Sequence, residues 1–301
     1  MALLTLTLLG PPRMAGADGT ALGFRSRKAL ALLVYLAIEQ GTEHSRDSLV
    51  GLLWSEDSEA AARNSLRVAL ANLRQTLGES ADRLLRASRT GVRFACDSDH
   101  ALDVATFSTL LATCRAHRHE QIESCAECAA RLAQAVALYR GEFLTGFTLP
   151  NTAPFEEWLQ MQREALRLQA LEALTTQAAY HERRGEYEAL GRAARQHLVL
   201  EPWHEPAYRQ LMCALVRSGD GAAALEAYET CRGVLARELG LQPEIETRTL
   251  AERIRAGELS PVRLSGPPPR TACLQTSLRS WGASASSRRS PGACANPTCA
   301  W

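Results

Sequence analysis

Arg63, Asn64, Arg67, Asn72, Arg74 and Gln75 stand in one stretch that holds no carboxylate between Glu59 and Glu79. Arginine and asparagine carry forked donors and acceptors that match guanine and adenine edges in the major groove of DNA. An ordinary solvated helix mixes both signs of charge, so a polar face of this composition is suited to an anionic partner. Ala69 and Ala71 lie among these side chains and are small enough to let a surface approach the backbone. Taken alone, the stretch is equally consistent with an arginine-rich surface helix, and its surroundings must decide.

A second constellation is Cys114-x2-His117-x7-Cys125-x2-Cys128, with His119 as a spare ligand. Thiolate and imidazole in a four-ligand set suit structural zinc. The polar segment 115–124 reads as a loop that such an ion would staple. The competing reading makes Cys114 and Cys128 small buried residues on helix faces. For catalysis there is less. His44, His100, His181, His197 and His204 have no nucleophile or paired carboxylate near them in sequence. G-x-S-x-G, H-E-x-x-H, dinucleotide and G-x-x-x-x-G-K-[ST] motifs are absent. The chain is expected not to be an enzyme and to require no cofactor, zinc being the one metal its residues point to.

The arginine-bearing stretch needs a scaffold, and the flanking sequence supplies one. Leu66, Leu70, Leu73 and Leu77 recur at helical spacing, which predicts a helix from Glu59 with Gly78 as its stop. Upstream, Leu3 to Leu9 alternates leucine with threonine and ends in Gly10-Pro11-Pro12, a strand and a turn. A Gly/Asp-rich hairpin follows at Gly16, Asp18 and Gly19. Ser26 then caps a helix over 27–40, with Leu30, Leu33, Val34, Ala37 and Ile38 on one face, and Gly41 stops it. Ser45 caps a shorter helix that buries Leu49, Leu52, Leu53 and Trp54. Downstream, residues 84–86 and 92–94 read as strands about a turn at Arg89-Thr90-Gly91. A small β element, three helices and a hairpin is the winged helix-turn-helix order, with the third helix in the major groove and the hairpin on the backbone. Arg86, Arg89, Thr90 and Arg93 fall where the wing would meet phosphates.

On these residues the chain resembles a known family. The run NSLRVALANLRQTLG, followed by the Thr90-Gly91 hairpin, is similar to the DNA-binding domain of OmpR-type regulators. More specifically, the chain resembles the SARP-type antibiotic-regulatory transcriptional activators, whose first and second helices are matched by SRKALALLVYLA and DSLVGLLW. LYRGEFLTGF followed by FEEW, and later LARELGLQPE, resemble the signature of the bacterial transcriptional activator domain. The resemblance covers about residues 3–257. It implies double-stranded DNA as partner, activation by recruiting RNA polymerase, and a second domain that self-associates as a homodimer or touches the transcription machinery.

From Asp103 onward the pattern is almost wholly helical. Asp103 is expected to cap a helix carrying Val104, Phe107, Leu110 and Leu111, followed by helices over 126–139 and 155–182. Gly185-Glu186-Tyr187 and Gly219-Asp220-Gly221 stand 34 positions apart, the tetratricopeptide period. Pro202 falls at the closing position of the first copy, and Ala224 and Tyr228 at the small and aromatic positions of the second. Ala236 stands where the second closing proline belongs. A helix pair cannot bury its own apolar face, so stacked pairs bury it jointly.

The expected fold class is mainly α. Residues 1–97 form an α+β winged helix-turn-helix domain, and residues 98–258 an all-α tetratricopeptide-like domain that folds without it. Residues 259–301, with Gly266-Pro267-Pro268-Pro269 and no carboxylate, are expected to be disordered. The net charge of +1 hides this division: 12 Arg/Lys against 10 Asp/Glu in 1–97, and 17 against 23 in 98–258. A mildly basic front and an acidic middle suit a DNA-contacting module joined to a protein-contacting one. The opening MALLTLTLLG has no basic flank or cleavage site, and no run reaches the roughly 18–20 apolar residues of a bilayer span. A cytoplasmic protein without a membrane partner is expected. Its nine cysteines, unevenly placed, then read as thiols or metal ligands and not as a disulfide framework. The rival reading is a tetratricopeptide adaptor whose first module binds protein instead of DNA.

Overall fold

The computed structural model describes residues 4–95 and 99–259. The expected disordered tail lies, Leu259 apart, outside the described residues.

Strand β1 (Leu4–Thr7) buries Leu4 and Leu6 and half-exposes its threonines. It pairs antiparallel with β2 (Arg13–Gly16) across the Gly10-Pro11-Pro12 turn. Helix α1 (Arg27–Ile38) starts where Ser26 Oγ accepts from the Ala29 N–H at 3.4 Å. The short strand β3 (His44–Ser45) leads into α2 (Arg46–Leu53), which Ser45 Oγ caps by accepting from Ser48 N–H at 3.0 Å. Both serines therefore satisfy helix donors that would otherwise face water. Helix α3 (Glu59–Leu77) follows, and Gly78 ends it at φ +57°, a conformation that costs glycine little. After the single turn α4 (Ala81–Leu84), strands β4 (Leu85–Ala87) and β5 (Gly91–Phe94) form the wing, with β3 as its third strand in the order β3-β5-β4. Strand β6 (His100–Leu102) returns to the first sheet and pairs parallel with β1.

The rest is helical: α5 (Asp103–Ala116), α6 (Ala126–Leu138), α7 (Ala153–Arg184), α8 (Tyr187–Leu200), α9 (Glu205–Arg217), α10 (Gly221–Glu238) and α11 (Ile245–Arg255). Each packs on the next along the chain. The two glycines set 34 apart do the same work in both copies. Gly185 (φ +67°) closes α7 and turns into α8, and Gly219 (φ +92°) turns α9 into α10. Ala224 and Tyr228 are buried between α9, α10 and α11, as the repeat pattern requires.

Two expectations are corrected. Asp103 is the first residue of α5, not its cap, and its carboxylate reaches back to the start of the chain. It accepts from the N–H groups of Leu8 (2.8 Å) and Leu9 (3.0 Å) and pairs with Arg140 at 2.8 Å. Burial pushes this carboxyl up from its ordinary range, while those N–H donors and Arg140 pull it back down. The hydrophobic core also ignores the expected boundary at 97/98. One cluster runs from Leu4 to Leu174 and includes Phe94, Phe107, Phe143 and Phe155, all fully buried. The loop carrying the activator-domain signature takes part in this. Leu144 N–H donates to Leu8 C=O, and Arg163 anchors the loop by donating to the carbonyls of Phe143, Leu144 and Phe147 at 3.0–3.2 Å. Residues 98–258 alone would lose the partner strand of β6 and the Leu8 and Leu9 donors of Asp103.

His197 stacks on His204 at 4.1 Å between α8 and α9. Burial first, then the neighbouring His204, lowers His197 below its ordinary value of 6.5, and burial lowers His204 as well. The unfolded chain therefore takes up protons below about pH 6.5 that the folded chain resists, so stability is present above that pH and declines as pH falls through it. The urea midpoint is expected to drop between pH 7 and pH 5. His197→Gln should show a smaller drop, and an equal drop in the variant would exclude His197 as a source.

Candidate nucleic-acid interface

Helix α3 buries Ala62, Leu66, Ala69, Leu70, Leu73 and Leu77 against α1 and α2. The opposite side carries Asn64, Arg67, Val68, Ala71, Arg74 and Gln75, all exposed, with Asn72 half-buried at the edge. Ala69 was expected on this side and is instead in the core. Val68, not singled out in the sequence, takes its place and is 49% exposed. It stands three to four residues from Asn64 and Ala71, so the open stripe mixes donors and acceptors with small apolar groups. The signal in the sequence was a valine lying off the leucine row.

The arginines are not equivalent. Arg63 is exposed but held by two carboxylates, Asp47 of α2 at 3.2 Å and Glu59 at 2.7 Å. These exposed pairs link α2 to the start of α3. Arg67 donates to Asn64 Oδ1, so the two side chains that could read a base are held together before any contact. Arg74 lies 3.9 Å from the exposed Asp82 and faces the wing.

The wing turn is built by Ser88. Its Oγ accepts from Gly91 N–H at 2.9 Å and Thr90 N–H at 3.2 Å and donates to Glu43 Oε1 at 3.1 Å. Arg46 donates to Ser88 C=O from Nη2 at 2.9 Å, fixing the turn to α2. Gly91 fits here because a Cβ would meet Glu43 Oε1 at 2.6 Å. Arg89 and Thr90 project at the exposed tip. Arg86 and Arg93 face each other across β4 and β5. With Arg74 they line one open, polar cleft of about 540 Å³ between the end of α3 and the wing. The structure thus brings together arginines from two separate segments, on the side where helix and hairpin both face solvent.

The Cys/His constellation also assembles, but with a changed membership. Ligand atoms of His117, His119, Cys125 and Cys128 all lie within 4.8 Å of one another. Cys114 does not join them: it is buried on α5 and its Sγ donates to Cys128 C=O at 3.7 Å. His119, the spare ligand expected from the sequence, lies with the other three, and Cys114 stands apart.

Comparison with known proteins bears on this geometry. Residues 102–255 match the family model of the bacterial transcriptional activator domain. The chain belongs to this family. Residues 24–91 match the C-terminal domain of transcriptional regulatory proteins, so the SARP-type order of the two parts is present. The regulatory protein AfsR of Streptomyces coelicolor is 30% identical over 89% of this chain. The regulatory protein DnrI of Streptomyces peucetius is 28% identical over 83% of it, and the transcriptional regulatory protein EmbR of Mycobacterium tuberculosis 30% identical over 83%. The chain spans 26% of the length of AfsR, 63% of EmbR and 92% of DnrI. The solved structure of EmbR in complex with a low-affinity phosphopeptide superposes with a TM-score of 0.61 at 25% identity, covering 87% of this chain and 67% of that one. This activator-domain chain is therefore mainly helical, with a winged helix first and a helical domain after it.

Proposed function

We propose that this chain is a sequence-specific, promoter-binding transcriptional activator that inserts α3 into the major groove and rests the β4–β5 hairpin on the flanking backbone. The observation that carries the reading is the carboxylate-free exposed stripe of α3. Arg67 and Asn64 offer base-edge hydrogen bonds, while Val68 and Ala71 offer apolar contact to a thymine methyl. Arg86, Arg89 and Arg93, with the Thr90 hydroxyl, are placed to neutralise or bind phosphates, which positions the helix without reading sequence. The helices from α5 to α11 then present the surface for self-association as a homodimer and for recruiting RNA polymerase. No enzymatic step is assigned. No helix among the described residues is long and apolar enough to cross a membrane, and work on DNA in the cytoplasm is part of this proposal.

Selection of bound fragments from a genomic pool, followed by anisotropy titrations on the enriched site at several salt concentrations, tests this directly. A recurring site and a steep fall of affinity with salt are expected. An adaptor that binds only protein would return no enriched sequence, and that result would reject the reading.

A further inference from the structure

We propose that His117, His119, Cys125 and Cys128 bind one zinc ion that clamps the connection between α5 and α6. Tetrahedral coordination with Zn–S of about 2.3 Å and Zn–N of about 2.0–2.1 Å sets thiolate sulfur and imidazole nitrogen about 3.6 Å apart. His117 Nδ1 lies 3.2 Å from Cys128 Sγ and 3.5 Å from Cys125 Sγ, and His119 Nδ1 lies 3.9 Å from Cys128 Sγ. These separations bracket the tetrahedral value. Two sulfurs and two nitrogens form a set that favours zinc over the hard, oxygen-seeking cations.

A second observation, independent of the ligand spacing, points to a metal. His117 turns Nδ1 toward the thiols and Nε2 toward Glu127, whose Oε2 is 3.3 Å away. A carboxylate accepting the far N–H fixes the tautomer that leaves Nδ1 with its lone pair, the usual outer partner of a zinc-bound histidine. Arg131 holds Glu127 in turn. Cys125 occupies the N-cap of α6, and its Sγ accepts from the Cys128 N–H at 3.5 Å, so the Cys-x-x-Cys backbone already points its donors at sulfur. Cys128 is fully buried, while His117, His119 and Cys125 are half-exposed, so the ion has a path from solvent. Two thiol protons leave as the ion enters, and two thiolates balance its charge beside two neutral imidazoles.

The clamp has a structural consequence. The segment 117–125 has only a single 3-10 turn, Ile122–Ser124, and is tied to α7 by Arg183, which donates to Ser124 Oγ at 2.8 Å and to Gln121. The metal would hold this connection against α6 through Cys125 and Cys128. The inference does not rest on DNA binding.

Full-length chain purified under reducing conditions without chelator should carry about one zinc per chain by elemental analysis. Cobalt substitution should give a tetrahedral visible spectrum with charge-transfer intensity for two thiolates. Cys125→Ser and His119→Ala should lose the metal, Cys114→Ser should keep it, and Glu127→Gln should bind it roughly 10–100-fold more weakly. Circular dichroism of each variant separates loss of ligand from loss of fold, and the wild-type cobalt spectrum needs no variant at all. Metal content near zero in reduced, folded wild type would overturn the proposal. So would a cobalt spectrum without thiolate bands, or loss of metal in Cys114→Ser with retention in His119→Ala.

Discussion

Tyr228→Ala is expected to destabilise the chain by about 3–5 kcal/mol, the range for removing a buried aromatic from a core that can only partly collapse. Tyr228 is 8% exposed and packs with Met212, Val216, Ala224, Ala251 and Ile254, which come from α9, α10 and α11. Arg255 lies over its ring at 5.4 Å, so an exposed cation–π contact goes as well. This cluster is separate from the large one that runs from Leu4 to Leu174. The loss should therefore fall first on the last three helices. Urea unfolding with hydrogen exchange read residue by residue is the measurement. Protection should drop in α9–α11 before it drops in α1 or α3. A change under about 1 kcal/mol would mean that Tyr228 does not fill the space between these helices.

Arg67→Ala should weaken binding at a selected site by about 1–3 kcal/mol, or roughly 5- to 150-fold, and relax the base preference at one position. Its neighbours should behave differently. Arg89→Ala and Arg93→Ala are expected to weaken all sequences about equally and to lower the salt slope by about 1 each, because a phosphate contact carries no base identity. Arg63→Ala should have the smallest effect of the α3 arginines, since Asp47 and Glu59 already occupy its guanidinium. Arg74, beside Asp82 and facing the wing cleft, should follow the pattern of the wing residues more than that of Arg67. Anisotropy on matched specific and scrambled duplexes separates these classes. If all these variants bind like wild type, α3 is not the reading helix.

Features that depend on one stretch of chain were legible in the sequence. The leucine row of α3, the caps at Ser26 and Ser45, the stop at Gly78 and the paired glycines 185 and 219 all appear in the structure where their spacing put them. Each is decided within one turn or one hairpin, by a side chain meeting its own backbone or by a period of 3.6 residues. Burial of Ala69 and exposure of Val68 was a near miss of the same kind. The core row steps by three as well as four residues, so Ala69 joins Leu66 and Leu73 while Val68 turns outward.

What depends on distant segments was not legible. Asp103 looked like a helix cap because a carboxylate there satisfies local donors, and it does accept from Val104 N–H at 2.9 Å, yet Leu8 and Leu9, about 95 positions away, also present theirs to it. The same distance effect joins the two halves into one core, since β6 finds β1 across the whole winged helix. No acid lies between Glu59 and Glu79, but Asp47 reaches Arg63 from another helix. Cys114 had suitable ligand spacing, and the packing of α5 turned its sulfur toward the Cys128 backbone while the loop brought His119 to the thiols. Sequence spacing fixes which groups share a face of one element. Which face meets which is set by burying apolar area between elements, and the charged and metal-binding side chains take the partners that this packing leaves within reach.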